Sequence, residues 1–256
     1  MSLLPEERAE AILRVLSRDG RLLVEAASRE LNVSGETIRR DLKRLETAGL
    51  LKRSHGGAVP VPPRQAEDLS YPARSVLNIS AKRRIASAAA RHIADNQALM
   101  VDSSSTALEV VRALKGRKGL TIVTNSVALL TDPASLPHRL ISVGGERHPE
   151  VMTFHGPLAV EAARRFHADL AIISVKALSK RSGLMVANTE EAELKRIFLE
   201  NAERSLLLVD GDKFDGSGLV SVAPLEAVSA LITDREPSGE WRTLIETAGV
   251  TLEIAS

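Results

Sequence analysis

The 256-residue sequence has no cysteine. That excludes a disulfide framework, a thiolate nucleophile and a cysteine-based zinc site, and it makes a reducing cytoplasm the simplest home. Aromatic residues make up only 2%. The cores must therefore be built from Leu, Ile, Val and Ala, and base stacking on aromatic platforms is disfavoured as a way of holding nucleic acid. No apolar run reaches the roughly 20 residues of a membrane span, and charged residues begin at Glu6, so neither a spanning helix nor a signal peptide is expected. A charge excess is missing too. The 34 Lys and Arg against 33 Asp and Glu leave +1, so partners have to be read from local charge patterns.

The length suits a small domain followed by a larger one. A proline-rich stretch, Val59-Pro60-Val61-Pro62-Pro63, can neither continue a helix nor sit inside a sheet and reads as a semi-rigid linker. The expected organisation is a reader domain over 1–58, a linker over 59–75 and an α/β domain over 76–256. In the larger part, apolar runs (98–101, 120–123, 140–143, 170–175, 206–209 and 230–233) alternate with amphipathic segments. That rhythm predicts βαβ units and a Rossmann-like, mostly parallel sheet.

Near the start, Pro5 suits a first helical turn, and Ala9, Ile12, Leu13 and Leu16 recur at helical spacing up to Gly20. A second short helix fits 24–31, Asn32-Val33 makes a turn, and Ser34 is a fitting N-cap for a third. On that third helix Ile38, Leu42 and Leu45 share one face, while Arg39, Arg40, Lys43 and Arg44 gather on the other. An apolar back with a cationic front suits a helix lying in a DNA major groove. Ser34, Gly35 and Thr37 would then approach base edges or phosphates. The alternative is a solvated basic face, with Glu36 and Asp41 giving partial neutralisation. The segment Leu50-Leu51-Lys52-Arg53, followed by Ser54-His55-Gly56-Gly57, reads as a hairpin whose Lys52 and Arg53 would flank the DNA backbone as a wing. Asp41 is expected to order neighbouring arginines.

In the larger part, Asp102-Ser103-Ser104-Ser105-Thr106 follows the first strand and enters a helix. Hydroxyls and free backbone N–H groups at the positive end of a helix dipole can cradle a phosphate, although Ser and Thr also cap helices that bind nothing. Thr124-Asn125-Ser126 and Gly144-Gly145 with Arg147 follow the next two strands. In an open parallel sheet such strand ends converge on one crevice.

The ordered, ungapped run Val33-Ser34-Gly35-Glu36-Thr37-Ile38-Arg39-Arg40-Asp41-Leu42, with Leu45-Glu46 and His55-Gly56-Gly57-Ala58, closely resembles the N-terminal signature of DeoR-type repressors. The resemblance continues through Lys82 with Ile85-Ala86, the Asp-Ser-Ser-Ser-Thr loop, Thr124-Asn125, Gly144-Gly145 with Arg147, Gly156 and Asp210-Gly211-Asp212-Lys213-Phe214. It implies a winged helix-turn-helix joined to a sensor domain similar to ribose-phosphate isomerases. It also implies a DNA-binding repressor of a carbohydrate operon, released from double-stranded operator DNA by a phosphorylated sugar; because one helix reads too few base pairs for useful specificity, a homo-oligomer is expected on physical grounds. That sugar is an effector; no cofactor and no membrane partner are implied. The DNA contacts carried over are Thr37, Arg39, Arg40, Lys43 and Arg44. In the sensor, Asp102 would accept from sugar hydroxyls, Ser103, Ser104, Ser105 and Thr106 would hold the phosphate, and Arg147 and Lys213 would supply positive charge. Two departures stand out. Ser104 replaces the usual Gly, and Lys176-Ala177-Leu178-Ser179 replaces small residues with an acidic or glycine-containing turn. Lys176 would either add charge to the crevice or face solvent.

An isomerase is the enzymatic alternative, but 174–182 holds no carboxylate to act as base, and Glu190 and Glu191 read as solvating the next helix. The six His lack the close helical pairing of metal sites, so no metal is expected. An activator of the same family remains open.

Overall fold

The computed structural model describes residues 3–61 and 69–256. The chain divides into two compact units between Ser80 and Ala81.

The first unit begins with α1 (Pro5–Asp19), β1 (Leu22–Leu23), α2 (Val24–Glu30) and α3 (Gly35–Thr47). A hairpin of β2 (Leu51–Ser54) and β3 (Gly57–Pro60) follows, then α4 (Tyr71–Val76). The expected helix spacing is met: Ala9, Ile12 and Leu16 of α1 pack with Ile38, Leu42 and Leu45 of α3 in one core with Val24, Ala27 and Leu51. Ser34 caps α3, its Oγ accepting from the Thr37 backbone N at 3.1 Å. β3 lies between β1 and β2. Gly57 is required there, because an added Cβ would fall 1.8 Å from the Leu22 carbonyl oxygen.

The borders of the expected linker are regular structure. Val59 and Pro60 end β3, and 71–75 belongs to α4. Pro60 is tolerated because β1 pairs only with Gly57 and Ala58, so the strand has a single neighbour at its last residue. The middle of the linker, 62–68, lies outside the described residues.

The second unit is α/β. In chain order its elements are α5 (Ile79–Ala90, which opens across the division), β4 (Ala98–Val101), α6 (Ser105–Ala113), β5 (Thr121–Thr124), α7 (Val127–Thr131) and β6 (Arg139–Ser142). They continue with β7 (Glu146–His148), β8 (Thr153–His155), α8 (Pro157–Ala163), β9 (Ala168–Ser174), β10 (Ala177–Ser179) and β11 (Gly183–Val186). The last are α9 (Thr189–Glu200), β12 (Ala202–Leu208), β13 (Val220–Ala223), β14 (Ala230–Thr233), α10 (Gly239–Thr247) and β15 (Thr251–Ile254).

Seven strands form an entirely parallel sheet in the order β15-β14-β12-β9-β4-β5-β6. All six apolar runs contribute a strand. The chain builds outward from β4 through β5 to β6, then returns to the other side of β4 with β9 and builds outward again. Strand order therefore reverses between β4 and β9, which is where open α/β sheets place their ligands. Sequence reading missed β15, the antiparallel sheet β10-β11-β13 and the hairpin β7–β8. These strands are short, and most lack the Ile/Val/Leu runs that marked the others.

Candidate functional sites

On α3, Arg39, Arg40, Lys43 and Arg44 are all exposed, as are Lys52 and Arg53 of the wing. They are not equivalent. Arg44 donates to the Pro5 carbonyl at 3.1 Å and approaches Glu6. Arg39 lies 3.7 Å from Glu36. Arg53 is bound twice to Glu46, its backbone N at 2.9 Å and its Nε at 2.6 Å, which ties the wing to α3. Hydrogen bonding from the Arg53 backbone and guanidinium holds the Glu46 carboxyl below the usual range. The side chains of Arg40, Lys43 and Lys52 have no ion pair or hydrogen bond among the described residues, although the Lys52 charge also attracts the Glu46 carboxylate. The Ser34 and Thr37 hydroxyls sit 2.9 Å apart at the exposed start of the helix.

Asp41 corrects the sequence reading. It does not order the arginines of its own helix but turns into the core and binds Arg8 of α1 through both oxygens, at 2.5 and 3.2 Å. That hydrogen bonding raises the Arg8 pKa. The partner is 33 residues away in sequence and carries no local signal.

In the second unit, the whole run from Asp102 to Thr106 is buried. Ser104 has ordinary extended backbone and caps α6, its Oγ accepting from the Ala107 N at 3.1 Å. The position therefore needs no glycine. Asp102, at the end of β4, is only 2% exposed. Its Oδ1 accepts from the Ser104 N at 2.9 Å and its Oδ2 from the Ser174 N at 2.9 Å, across the reversal point at the end of β9. Oδ2 also accepts from Nζ of Lys195, a residue of α9 only 3% exposed. The expectation that Asp102 accepts from sugar hydroxyls meets a carboxylate already engaged by three internal donors. Burial alone would push Asp102 up and Lys195 down. Their mutual attraction, together with the hydrogen bonds from Ser104 and Ser174 to Asp102 and the pull of Glu191 on Lys195, outweighs it, leaving Asp102 lowered and Lys195 raised.

Sequence reading missed Lys195 and Ser174, since nothing local marks either. Glu191 was expected to solvate its helix. Its carboxylate instead stands 3.3 Å from Lys195 Nζ. Lys213 joins the same cluster: its Nζ donates to Ser174 Oγ at 2.8 Å and lies 3.8 Å from Asp210.

Thr124 serves the sheet, its hydroxyl donating to the Val101 carbonyl at 2.6 Å and accepting from the Ser126 N. Asn125 Nδ2 donates to Thr153 Oγ1 at 2.9 Å, while its buried Oδ1 has no hydrogen-bond partner among the described residues. Gly145, at φ +97°, lets the chain pass close to β8, because a Cβ there would sit 2.5 Å from the His155 carbonyl. Gly144 is a half-buried turn residue, and Arg147 is exposed on β7. Lys176 is half-buried, and its backbone N pairs with the Met185 carbonyl at the start of the small sheet. The structure thus bonds Ser104 directly to Asp102 and joins Lys213 to it through Ser174, and among the described residues it links neither Arg147 nor Lys176 to them by hydrogen bond. A separate cleft beside α8 and the start of α9 is lined by Glu161, Glu190 and Glu193 with Arg164. Its carboxylates disfavour an anion.

Comparisons with known proteins agree with the two-part organisation. Residues 8–63 match the DeoR-like helix-turn-helix domain, and 77–235 match the DeoR C terminal sensor domain. The HTH-type transcriptional regulator GlpR of Haloferax volcanii is 35% identical over 98% of this chain and 98% of its own length. The transcriptional repressor AccR of Agrobacterium fabrum is 33% identical over 94% of this chain and 93% of its own. The L-fucose operon activator of Haemophilus influenzae is 32% identical over 89% and 91%. Among solved structures, ribose 5-phosphate isomerase A of Methanocaldococcus jannaschii covers 54% of this chain and 55% of its own at 16% identity, with a TM-score of 0.38. That distant likeness says nothing about activity, whereas relatives spanning nearly the whole chain are regulators rather than isomerases. On both of its parts, the chain belongs to the DeoR family of transcriptional regulators.

Proposed function

We propose that this chain represses a carbohydrate catabolic operon and is released from its operator when a phosphorylated sugar binds the sensor unit. The observation that carries the DNA half is the division of α3. Ile38, Leu42, Leu45 and Asp41 are held inward, leaving Arg39, Arg40, Lys43 and Arg44 outward. In this reading α3 enters the major groove with Ser34 and Thr37 at its leading end. Lys52 reaches phosphate from the wing, and Arg53 does so while tied to Glu46. One such helix reads too few base pairs for useful specificity, so two or more copies of the chain are expected to act together on repeated half-sites.

The sensor half rests on the family model and on the reversal point between β4 and β9, flanked by Ser103, Ser105, Thr106 and Lys213. Backbone N–H groups at the start of α6 and the Lys213 ammonium suit a phosphate, with Arg147 and Lys176 as further sources of positive charge. A sugar phosphate can release DNA only by binding the DNA-bound and DNA-free arrangements unequally.

The test starts from DNA selected by the full chain from a random pool. Phosphorylated pentoses and hexoses are then titrated against the complex, with the free sugars as controls. Release by at least one phosphorylated sugar and by none of the free sugars is expected; unchanged operator affinity throughout would remove the sensor half. A second reading, activation, is favoured by the relative named as an L-fucose operon activator. Transcription in vitro from the selected sites separates the two signs.

A further inference from the structure

We propose that Lys195 and Asp102 are a positioning pair for the effector site, holding the strand ends on both sides of the reversal point while neither touches the effector. The inference rests on reading the strand-end cluster as that site.

Three features support it. Asp102 is engaged at both oxygens by the Ser104 N, the Ser174 N and Lys195, and it is almost completely buried. A ligand hydroxyl reaching it would have to displace a bond that shapes the site. Second, a buried ion pair is a poor source of net stability, since an apolar pair of similar volume commonly does as well. Its geometry is what an apolar pair could not reproduce. Asp102 bridges the loop after β4 to the end of β9, and Lys195 keeps that carboxylate ionised so that both of its oxygens accept. Third, the bridge continues. Ser174, held by Asp102, donates its hydroxyl to the Leu208 carbonyl and accepts Lys213 Nζ at 2.8 Å. The pair therefore sets the seat of the α6 entry loop and the position of the Lys213 ammonium together.

With Lys195 removed, Asp102 is left buried without its cation and tends towards the neutral acid. A protonated oxygen becomes a donor and a weaker acceptor, so the bond to Ser104 N or Ser174 N on that oxygen is weakened. Removing the groups that orient metal ligands weakens metal sites by about 10- to 100-fold, and a loss on that scale is expected here.

The experiment measures dissociation constants of full-length protein for inorganic phosphate and for ribose 5-phosphate by calorimetry. The proteins are wild type, Lys195→Met, Asp102→Asn and the double variant, with circular dichroism to establish folding. The double variant removes both charges together and keeps the test usable if Lys195→Met does not fold. The expected result is an equal loss of about 10-fold or more for both probes in every folded variant. If Asp102→Asn weakens ribose 5-phosphate but leaves inorganic phosphate unchanged, Asp102 is a direct hydroxyl acceptor and the proposal is overturned. It is also overturned if folded Lys195→Met or the double variant melts at a lower temperature but binds both probes as wild type does. Failure of wild type to bind either probe would instead overturn the reading of the cluster as a phosphate site.

Discussion

Arg8 and Asp41 form a two-pronged ion pair inside the first unit, joining α1 to the inward side of α3. The pair puts a carboxylate on the basic helix without placing it on the basic surface. It also fixes the roll of α3 relative to α1, and so which side chains of α3 look outward.

Breaking this pair should be costly, because the remaining charge stays buried and unpaired. Arg8→Ala or Asp41→Ala should each destabilise the first unit by about 3–5 kcal/mol. An Arg8→Met, Asp41→Leu double variant should recover much of that loss. Urea unfolding of the first unit reports both, and a single-variant loss below about 1 kcal/mol would contradict a structural role for the pair.

Salt dependence should separate the cations of α3 and the wing. The side chains of Arg40, Lys43 and Lys52 make no ion pair or hydrogen bond among the described residues, so each can turn to a DNA phosphate. Replacing any of them by Ala should lower the slope of log affinity against log salt by about 0.9 for each phosphate left without its cation. Arg53→Ala should act differently, because it also releases Glu46 and the wing with it. For that variant the intercept should fall along with the slope. Fluorescence anisotropy on selected DNA, from about 50 to about 200 mM salt, gives both quantities.

Gly57→Ala should disrupt the three-stranded sheet. The added methyl meets the Leu22 backbone oxygen rather than a side chain that could swing away. Overpacking of this kind costs about 1–3 kcal/mol, and a backbone obstacle puts it at the upper end. A variant with wild-type stability and DNA affinity would mean that β1 does not pair with β3 in solution.

Acid should act on the sensor unit through Asp102. Its folded pKa is lowered, so it contributes stability above the ordinary carboxylate value of about 3.9, and that stability is lost as pH falls through the lower folded value. In Lys195→Met the attraction is gone, and burial is opposed only by the hydrogen bonds from Ser104 and Ser174, so the carboxyl moves upward from its wild-type position. The loss should then begin at higher pH than in wild type. Circular dichroism followed down the pH scale tests the order of the two midpoints; identical midpoints would show that Lys195 does not control Asp102.

The first three helices of the first unit and six of the seven parallel strands were legible because their signals are local, whereas α4 fell almost entirely within the expected linker. Apolar residues recur with the period of the element, Ser34 stands where a cap is needed, and Ile/Val/Leu runs mark buried strands. β15 escaped notice because its exposed Thr251 and half-buried Glu253 break that signal. The loop after β4 was legible as a segment, but the internal partners of its first residue, Asp102, were not. Only the fold brings Lys195 to Asp102 from 93 positions away, and Arg8 to Asp41 from 33. Sequence alone determined the three leading helices, the buried parallel strands with strong apolar runs and the basic face of α3, since periodicity and charge act between near neighbours. Tertiary structure decided which charges are used internally and which remain outward, because pairing between distant residues depends on how the elements pack and on the low-dielectric interior they create.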